Sequence, residues 1–185
     1  MVGTTAETGV AFFRPEPEHA HRIFRKLPVN EMNPLDRVTR RIVDELQQDA
    51  TLSAQQLAER VGLSATPVWR RVRELESSGL IRRRVALVDR EQLGLAICVH
   101  AHVTLVRQNE GAVDEFERFV LTCPEVLECA RVTGEADYLI KVVASDMKAY
   151  DRFLGDKVFK LAGVGGIRSN VVLREVKYET ALPTG

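Results

Sequence analysis

The sequence has no long apolar run, few cysteines and no net charge, and the first two of these features exclude classes of protein. Its apolar runs fall far short of the roughly 20 residues that a membrane-spanning helix needs. No basic-then-apolar signal pattern is present. The 3 cysteines are an odd number, and their spacings fit no zinc motif. We therefore expect a cytoplasmic protein without a disulfide framework, a metal site, a cofactor or a membrane partner.

What is present is a globular composition with an uneven distribution of charge. Hydrophobic residues make up 45% and charged residues 28% of the 185 positions, which is typical of a folded globular chain. Residues 35–95 contain eleven Arg and no Lys against nine acidic residues, and six of those Arg lie between Arg70 and Arg84. A local basic stripe on a neutral chain indicates contact with nucleic acid.

Periodic structure is expected to begin only at residue 35. Residues 1–34 are predicted to be a poorly ordered extension, because four prolines interrupt any helical pattern there. Val38, Ile42 and Leu46 then recur every four residues, which predicts a helix over about 36–48.

Two short helices are predicted next, joined by a tight turn. Ser53 and Gln56 form a capping-box pattern that marks the start of the first. Gly62 suits the left-handed conformation that ends it, and Ser64 is placed to cap the second. Together they predict a helix-turn-helix over about 54–73, inside a DNA-binding domain spanning 35–95.

The second helix of such a unit enters the major groove, and flanking cations hold phosphates. The branched run over 81–88 predicts the hairpin of a wing. The alternative is a small helical domain with a solvated charged face. Trp69 either faces the groove or packs on the helical core. The DNA-binding candidates are Ser64, Thr66, Trp69, Arg70, Arg71 and Arg73 in the helix, and Arg82, Arg83 and Arg84 in the wing.

The second half has the pattern of an antiparallel sheet. Residues 97–105 alternate strictly between apolar and polar side chains, as in a half-buried strand. The last strand is expected over 167–178. The predicted order over 96–182 is strand, helix, strand, strand, helix, strand, which is the ferredoxin-like βαββαβ plan. The fold class is therefore α+β, with a winged helix-turn-helix followed by this second domain.

Three sequence motifs in a fixed order make the sequence resemble a known family. It is similar to the leucine-responsive/asparagine-regulator (Lrp/AsnC) family of feast/famine transcriptional regulators over about residues 35–182. The motifs are LDRVTRRIVDEL at 35–46, LAERVGLSATPVWRRVRELE at 57–76 and VTGEADYLIKV at 132–142.

The resemblance implies a homodimer built on the sheets of the second domain, commonly assembling further into tetramers or octamers. It also implies paired heads on double-stranded DNA and an amino-acid effector bound between dimers. In that setting Asp137 would pair with the ammonium group of the effector; the alternative is a tight hairpin capped by Asp137. The effector-site candidates are Gly134, Glu135, Asp137, Tyr138, Met147, Ser169, Asn170 and Val171.

The expected function is sequence-specific regulation of amino-acid metabolism or transport in response to a small molecule. Residues 177–183 resemble the cysteine-responsive branch of the family. An effector-independent nucleoid-associated protein is one alternative. An enzyme with a regulatory amino-acid domain is another, which the lack of any nucleophile–base pair or phosphate loop disfavours.

Two residue sets have competing interpretations. His100 and His102 share a strand face, either as a metal pair or as a hydrogen-bonded pair at a dimer sheet. The three cysteines are either core residues or redox sensors.

Overall fold

The computed structural model describes residues 35–106 and 111–184. The predicted extension over 1–34 lies outside the described residues. The described chain contains a helical unit and an α/β unit, each with its own cluster of buried apolar side chains.

The helical unit consists of α1 (Arg37–Gln48), α2 (Ala54–Val61) and α3 (Ala65–Ser77). Its buried side chains project from all three helices and include Ile42, Leu57 and Val68. This core fixes the angle between α2 and α3, and thereby sets which face of α3 points outward.

Local caps define the helix ends much as the sequence predicts. The Asp36 carboxylate accepts the Thr39 backbone N–H. Ser53 and Gln56 form the reciprocal capping box, and Gly62 has the left-handed φ of +73°. Ser64 occupies the N-cap of α3, but its side chain makes no capping hydrogen bond.

The structure differs from prediction at the wing. Residues 82–89 have no regular structure, so the hairpin expected over 81–88 does not form within the described chain. The physical reason is that the chain forms no second strand to pair with residues 81–88. Asp89 accepts the backbone N–H groups of Glu91 and Gln92 and starts a turn where a returning strand would be needed. Without a neighbouring strand, the backbone groups of this branched run have no ladder to join.

The α/β unit confirms the ferredoxin-like plan. Its strands lie in the order β2-β3-β1-β4, and every neighbouring pair is antiparallel. A short 3₁₀ turn over Val158–Lys160 leads into the last strand. The elements are β1 (Ile97–Leu105), α4 (Ala112–Thr122), β2 (Val126–Arg131), β3 (Tyr138–Ala144), α5 (Met147–Asp156) and β4 (Val164–Val171).

The last strand is shorter than the expected 167–178 and begins earlier. Val171 pairs with Val99, and the Val172 N–H still reaches the Cys98 carbonyl. Because β1 begins at Ile97, only one of its residues lies beyond that point. Residues 172–184 therefore leave the sheet without strand pairing.

One face of the sheet is covered by helices. The other carries no helix and is called the open face. Alternate residues of β1 and β3, such as Val99 and Ile140, pack against α4 and α5 in the main core. The intervening residues, such as His100 and Lys141, lie on the opposite face, since successive side chains point to opposite sides of a strand. None of the helices in the described part of the chain is long and apolar enough to span a membrane.

Candidate nucleic-acid and effector sites

The exposed face of α3 gathers the base-reading candidates. Thr66, Trp69, Arg70 and Arg73 follow the 3–4 residue spacing that places side chains on one side of a helix, and all four are exposed. The opposite side of α3 is buried in the helical core. The core therefore orients this stripe outward, where it can enter a DNA groove.

Trp69 is exposed and stacked rather than packed inside. Its side chain is 48% exposed, and the guanidinium of Arg73 lies 4.6 Å from the centre of its ring. Arg70 is held loosely by Glu74, with 3.7 Å between Nε and Oε1. A planar guanidinium presented in this way can donate two parallel hydrogen bonds to guanine.

The three arginines after α3 do not behave alike. Arg84 donates to the Ala50 carbonyl at 3.2 Å and to the Glu76 carboxylate at 3.1 Å, so it braces this segment against the helical unit. Arg82 and Arg83 are exposed, and within residues 35–106 and 111–184 neither makes a hydrogen bond or ion pair. Arg71 is half-buried on α3.

The turn that contains Gly134 and Asp137 is fixed by main-chain and side-chain hydrogen bonds. Gly134 has a φ of +117°, a conformation that favours glycine. The Asp137 carboxylate accepts the Leu105 N–H at 2.8 Å. The Asp137 backbone donates to Val103 and accepts from Val132. Asp137 therefore ties the start of β3 to the end of β1.

Tyr138 points into the core rather than out of the turn. It is 2% exposed, its ring lies 4.8 Å from that of Phe116, and its hydroxyl donates to Glu117 at 2.7 Å. Burial, followed by the Glu117 hydrogen bond, raises the pKa of Tyr138 above its usual value. Glu135, by contrast, is exposed and lies 3.6 Å from Arg168 of β4.

Of the remaining effector candidates, Met147 and Val171 lie nearer the other end of the sheet, whereas Ser169 pairs with Ala101 in the middle of β1. Tyr138 pairs with Val103, whereas Val171 pairs with Val99. Four residues of strand separate these positions by about 13 Å. Met147, which is 49% exposed, begins α5 just beyond the far end of β3. Within one protomer, the turn at Gly134–Asp137 is therefore separated from Met147 and Val171.

Ser169 and Asn170 have partners on opposite faces of β4. The Ser169 hydroxyl lies 2.6 Å from the buried Tyr150 hydroxyl on the covered face. The Asn170 amide lies 3.3 Å from His102 Nδ1 on the open face. Over the described residues, no group of three or more His, Cys, Asp or Glu is placed to hold a metal ion.

Sequence reasoning placed residues 172–178 in the last strand and predicted none of the contacts that the residues after β4 make. Lys141 Nζ lies 3.7 Å from Glu175 Oε1 and 4.7 Å from the centre of the Tyr178 ring. Further along, Leu182 and Thr184 contact α1. No periodic or capping pattern marks these contacts in the sequence.

The cysteine environments favour the core interpretation. Cys98 and Cys123 are buried, and all three thiols are free of disulfides. Burial raises the pKa of Cys98, and it raises the pKa of Cys129 to about 11. Burial and a hydrogen bond to Glu125 raise the pKa of Cys123 to about 11.

We therefore expect native thiols to react slowly with Ellman's reagent at pH 8 and faster as the pH approaches 11. The thiolate is the nucleophile, and the pKa of about 11 at Cys123 and Cys129 leaves about one thousandth of these two thiols ionised at pH 8. The measurement compares native with denatured protein at each pH. Complete labelling of the native chain within minutes at pH 8 would contradict the core assignment.

Comparison with known proteins gives matches along most of the chain. Residues 35–82 match the family model for winged helix-turn-helix DNA-binding domains, and residues 98–182 match that for the Lrp/AsnC ligand binding domain. The DNA-binding transcriptional activator DecR of Escherichia coli K12 is 38% identical over 149 residues, covering 80% of this chain and 98% of DecR.

Two further relatives show the same pattern. The leucine-responsive regulatory protein of Escherichia coli K12 is 42% identical over 151 residues, covering 80% of this chain and 90% of that protein. The transcriptional regulator NMB0573 of Neisseria meningitidis, solved as a complex with L-methionine, has a TM-score of 0.78 at 36% identity. That similarity covers 80% of this chain and 96% of the other.

Proposed function

Because this chain belongs to the Lrp/AsnC family of transcriptional regulators, we propose that it reads DNA through α3 and adjusts that binding to an amino acid. The observation that carries the proposal is the outward stripe of Thr66, Trp69, Arg70 and Arg73 on α3. A helix that presents polar and cationic side chains beside a turn fits the major groove. The proposed DNA-binding domain spans 35–95, and the proposed effector domain, or effector unit, spans 96–182 and contains the α/β unit.

The stripe and the arginines that follow it would have different tasks. Side chains on α3 would contact base edges, which carry sequence information. Arg82 and Arg83 would contact phosphates, which supply affinity for any sequence. Arg84 would keep the segment close to the helical unit through Glu76 and Ala50.

The effector site would lie between subunits of a homo-oligomer. The turn at Gly134–Asp137 and the group formed by Met147 and Val171 are too far apart in one protomer to enclose one amino acid. A second subunit could complete either half. The open sheet face, which includes His100, His102 and Asn170, is the proposed dimer surface. The L-methionine complex of the Neisseria relative supports an amino acid as the ligand class.

The testing experiment selects duplexes from a random DNA pool with the full chain and measures affinity by fluorescence anisotropy. A thermal-shift screen against the twenty amino acids identifies the effector, since a ligand that binds only the folded state raises its stability. The best amino acid should then change the affinity for the selected duplex. Equal affinity for selected and random DNA, with no response to amino acids, would instead indicate a nucleoid-associated protein.

The arginine assignments predict unequal effects on salt dependence. Arg82→Ala with Arg83→Ala should weaken binding to selected and random duplexes alike. It should also reduce the slope of log affinity against log salt by about two, because each phosphate contact releases about one counterion. Arg152→Ala, which removes an exposed arginine of α5 in the α/β unit, is the control and should leave the slope nearly unchanged. An unaltered slope in the double variant would show that this pair contacts no phosphate.

A further inference from the structure

The chain after β4 returns to the helical unit and is held there by a side-chain amide. Gln47 Nε2 donates to the Leu182 carbonyl at 2.9 Å, and Gln47 Oε1 accepts the Leu182 N–H at 2.6 Å. A single amide group thus satisfies both backbone groups of one residue, using one donor and one acceptor as a neighbouring strand would. The pairing fixes Leu182 in position and direction on α1.

A second contact between the C-terminal segment and α1 is made by Asp44, about one helical turn before Gln47. The Thr184 hydroxyl donates to the Asp44 carboxylate, with distances of 2.8 and 3.0 Å to its two oxygens. Asp44 and Gln47 are three residues apart on α1, so they share one side of the helix. Both are half-buried. Together they form a small polar surface that holds residues 182–184.

The same segment is anchored upstream on the sheet. Glu175 and Tyr178 both contact Lys141 on the open face of β3, and the Lys141 side chain is only 11% exposed. Residues 172–184 therefore touch the effector unit at one end and the helical unit at the other. The connection through residues 82–96 is not the only link between the two units in the described chain.

We propose that Asp44 and Gln47 form a docking surface for the chain's own C-terminal segment, residues 182–184, and that this contact sets the orientation of the DNA-binding head. The proposal rests on the proposed function only for its effect on DNA. The contact itself is a property of the free protein. In a dimer, two oriented heads fit half-sites at one spacing, whereas loosely tethered heads accept several.

The direct test measures hydrogen exchange at the Leu182 amide in the full chain. Gln47→Ala removes the acceptor, and exchange at Leu182 should accelerate about tenfold or more because the N–H becomes open to water. Gln48→Ala is the matched control, since Gln48 is the exposed residue of the same type next to Gln47 on α1. It should leave the exchange unchanged. Equal exchange in native, Gln47→Ala and Gln48→Ala proteins would overturn the docking surface.

The functional test uses the selected DNA as single half-sites and as paired half-sites of varied spacing. Gln47→Ala, and a chain ending at Ala181, should bind a single half-site with native affinity, since neither change touches the α3 stripe. The preference for the best spacing should fall by about tenfold, because the effective concentration of the second head no longer peaks at one distance. Unchanged spacing preference in both variants would refute the orienting role.

Failure of the inference is distinguishable from failure of the proposed function. If native protein binds no DNA, the exchange experiment still reports on the docking surface. Circular dichroism and thermal melting confirm that each variant is folded before either measurement. Asp44→Asn tests the same docking surface independently, since it weakens the acceptor for the Thr184 hydroxyl while keeping the shape of the side chain.

Discussion

Replacing Gly163 by Ala is expected to destabilise the effector unit strongly. A Cβ at this position would lie 2.4 Å from the Ala112 Cβ and 2.7 Å from the Ala112 Cα. Ala112 is 2% exposed and begins α4, so its backbone has no free space to move into. Overpacking typically lowers the free energy of unfolding by about 1–3 kcal/mol, and a clash with backbone belongs at the upper end.

The matched control is Gly155→Ala. A Cβ at Gly155 meets nothing within 4 Å, and this residue lies inside α5. Alanine there should stabilise the protein by about 0.5 kcal/mol, since glycine carries an entropic cost in a helix. Urea unfolding of both variants measures the difference. If Gly163→Ala unfolds at the native urea concentration, the close approach of Ala112 does not limit this position.

The helices could be predicted because their signals are local. Asp36 and the Ser53–Gln56 box satisfy amides within three residues of themselves, so the caps can be recognised in the sequence. The four strands and their order also followed from alternation and from the strand–helix sequence of the second half. The helix caps span few residues, whereas the strand pairs join residues far apart in the chain, such as Val99 with Val171.

The remaining features depend on contacts between distant residues. Arg84 was grouped with Arg82 and Arg83, but its partners at Ala50 and Glu76 become neighbours only after folding. The length of β4 is limited by where β1 begins. The split of the effector candidates between two regions of the sheet follows from strand register, which no single motif reveals.

The sequence offered two roles for Asp137, a cap and an effector contact, and the structure shows the cap. Its carboxylate caps the end of β1 by accepting the buried Leu105 N–H at 2.8 Å. An ionised carboxylate has about four lone-pair sites on two oxygens, so one hydrogen bond leaves acceptor capacity for an ammonium group. The cap and the proposed effector contact are therefore compatible on one side chain.

Two substitutions at Asp137 separate these roles. Asp137→Asn retains a carbonyl oxygen for Leu105 but removes the negative charge, so the free energy of unfolding should stay close to native. Effector affinity should fall about 10- to 100-fold, since a hydrogen bond to a charged group contributes about 1.5–3 kcal/mol. Asp137→Ala should lose the same affinity and, in addition, about 1–3 kcal/mol of stability, because the buried Leu105 N–H is left without a partner.

Titration calorimetry with the amino acid from the thermal-shift screen measures affinity, and urea unfolding measures stability. Without effector, Asp137→Asn should bind the selected DNA as tightly as native protein does, because the change lies in the effector unit. The effector should no longer alter that binding at concentrations that saturate the native protein, since coupling requires differential binding of the ligand. Native affinity in Asp137→Asn would show that the carboxylate only caps β1, and the ammonium partner would then have to be another residue.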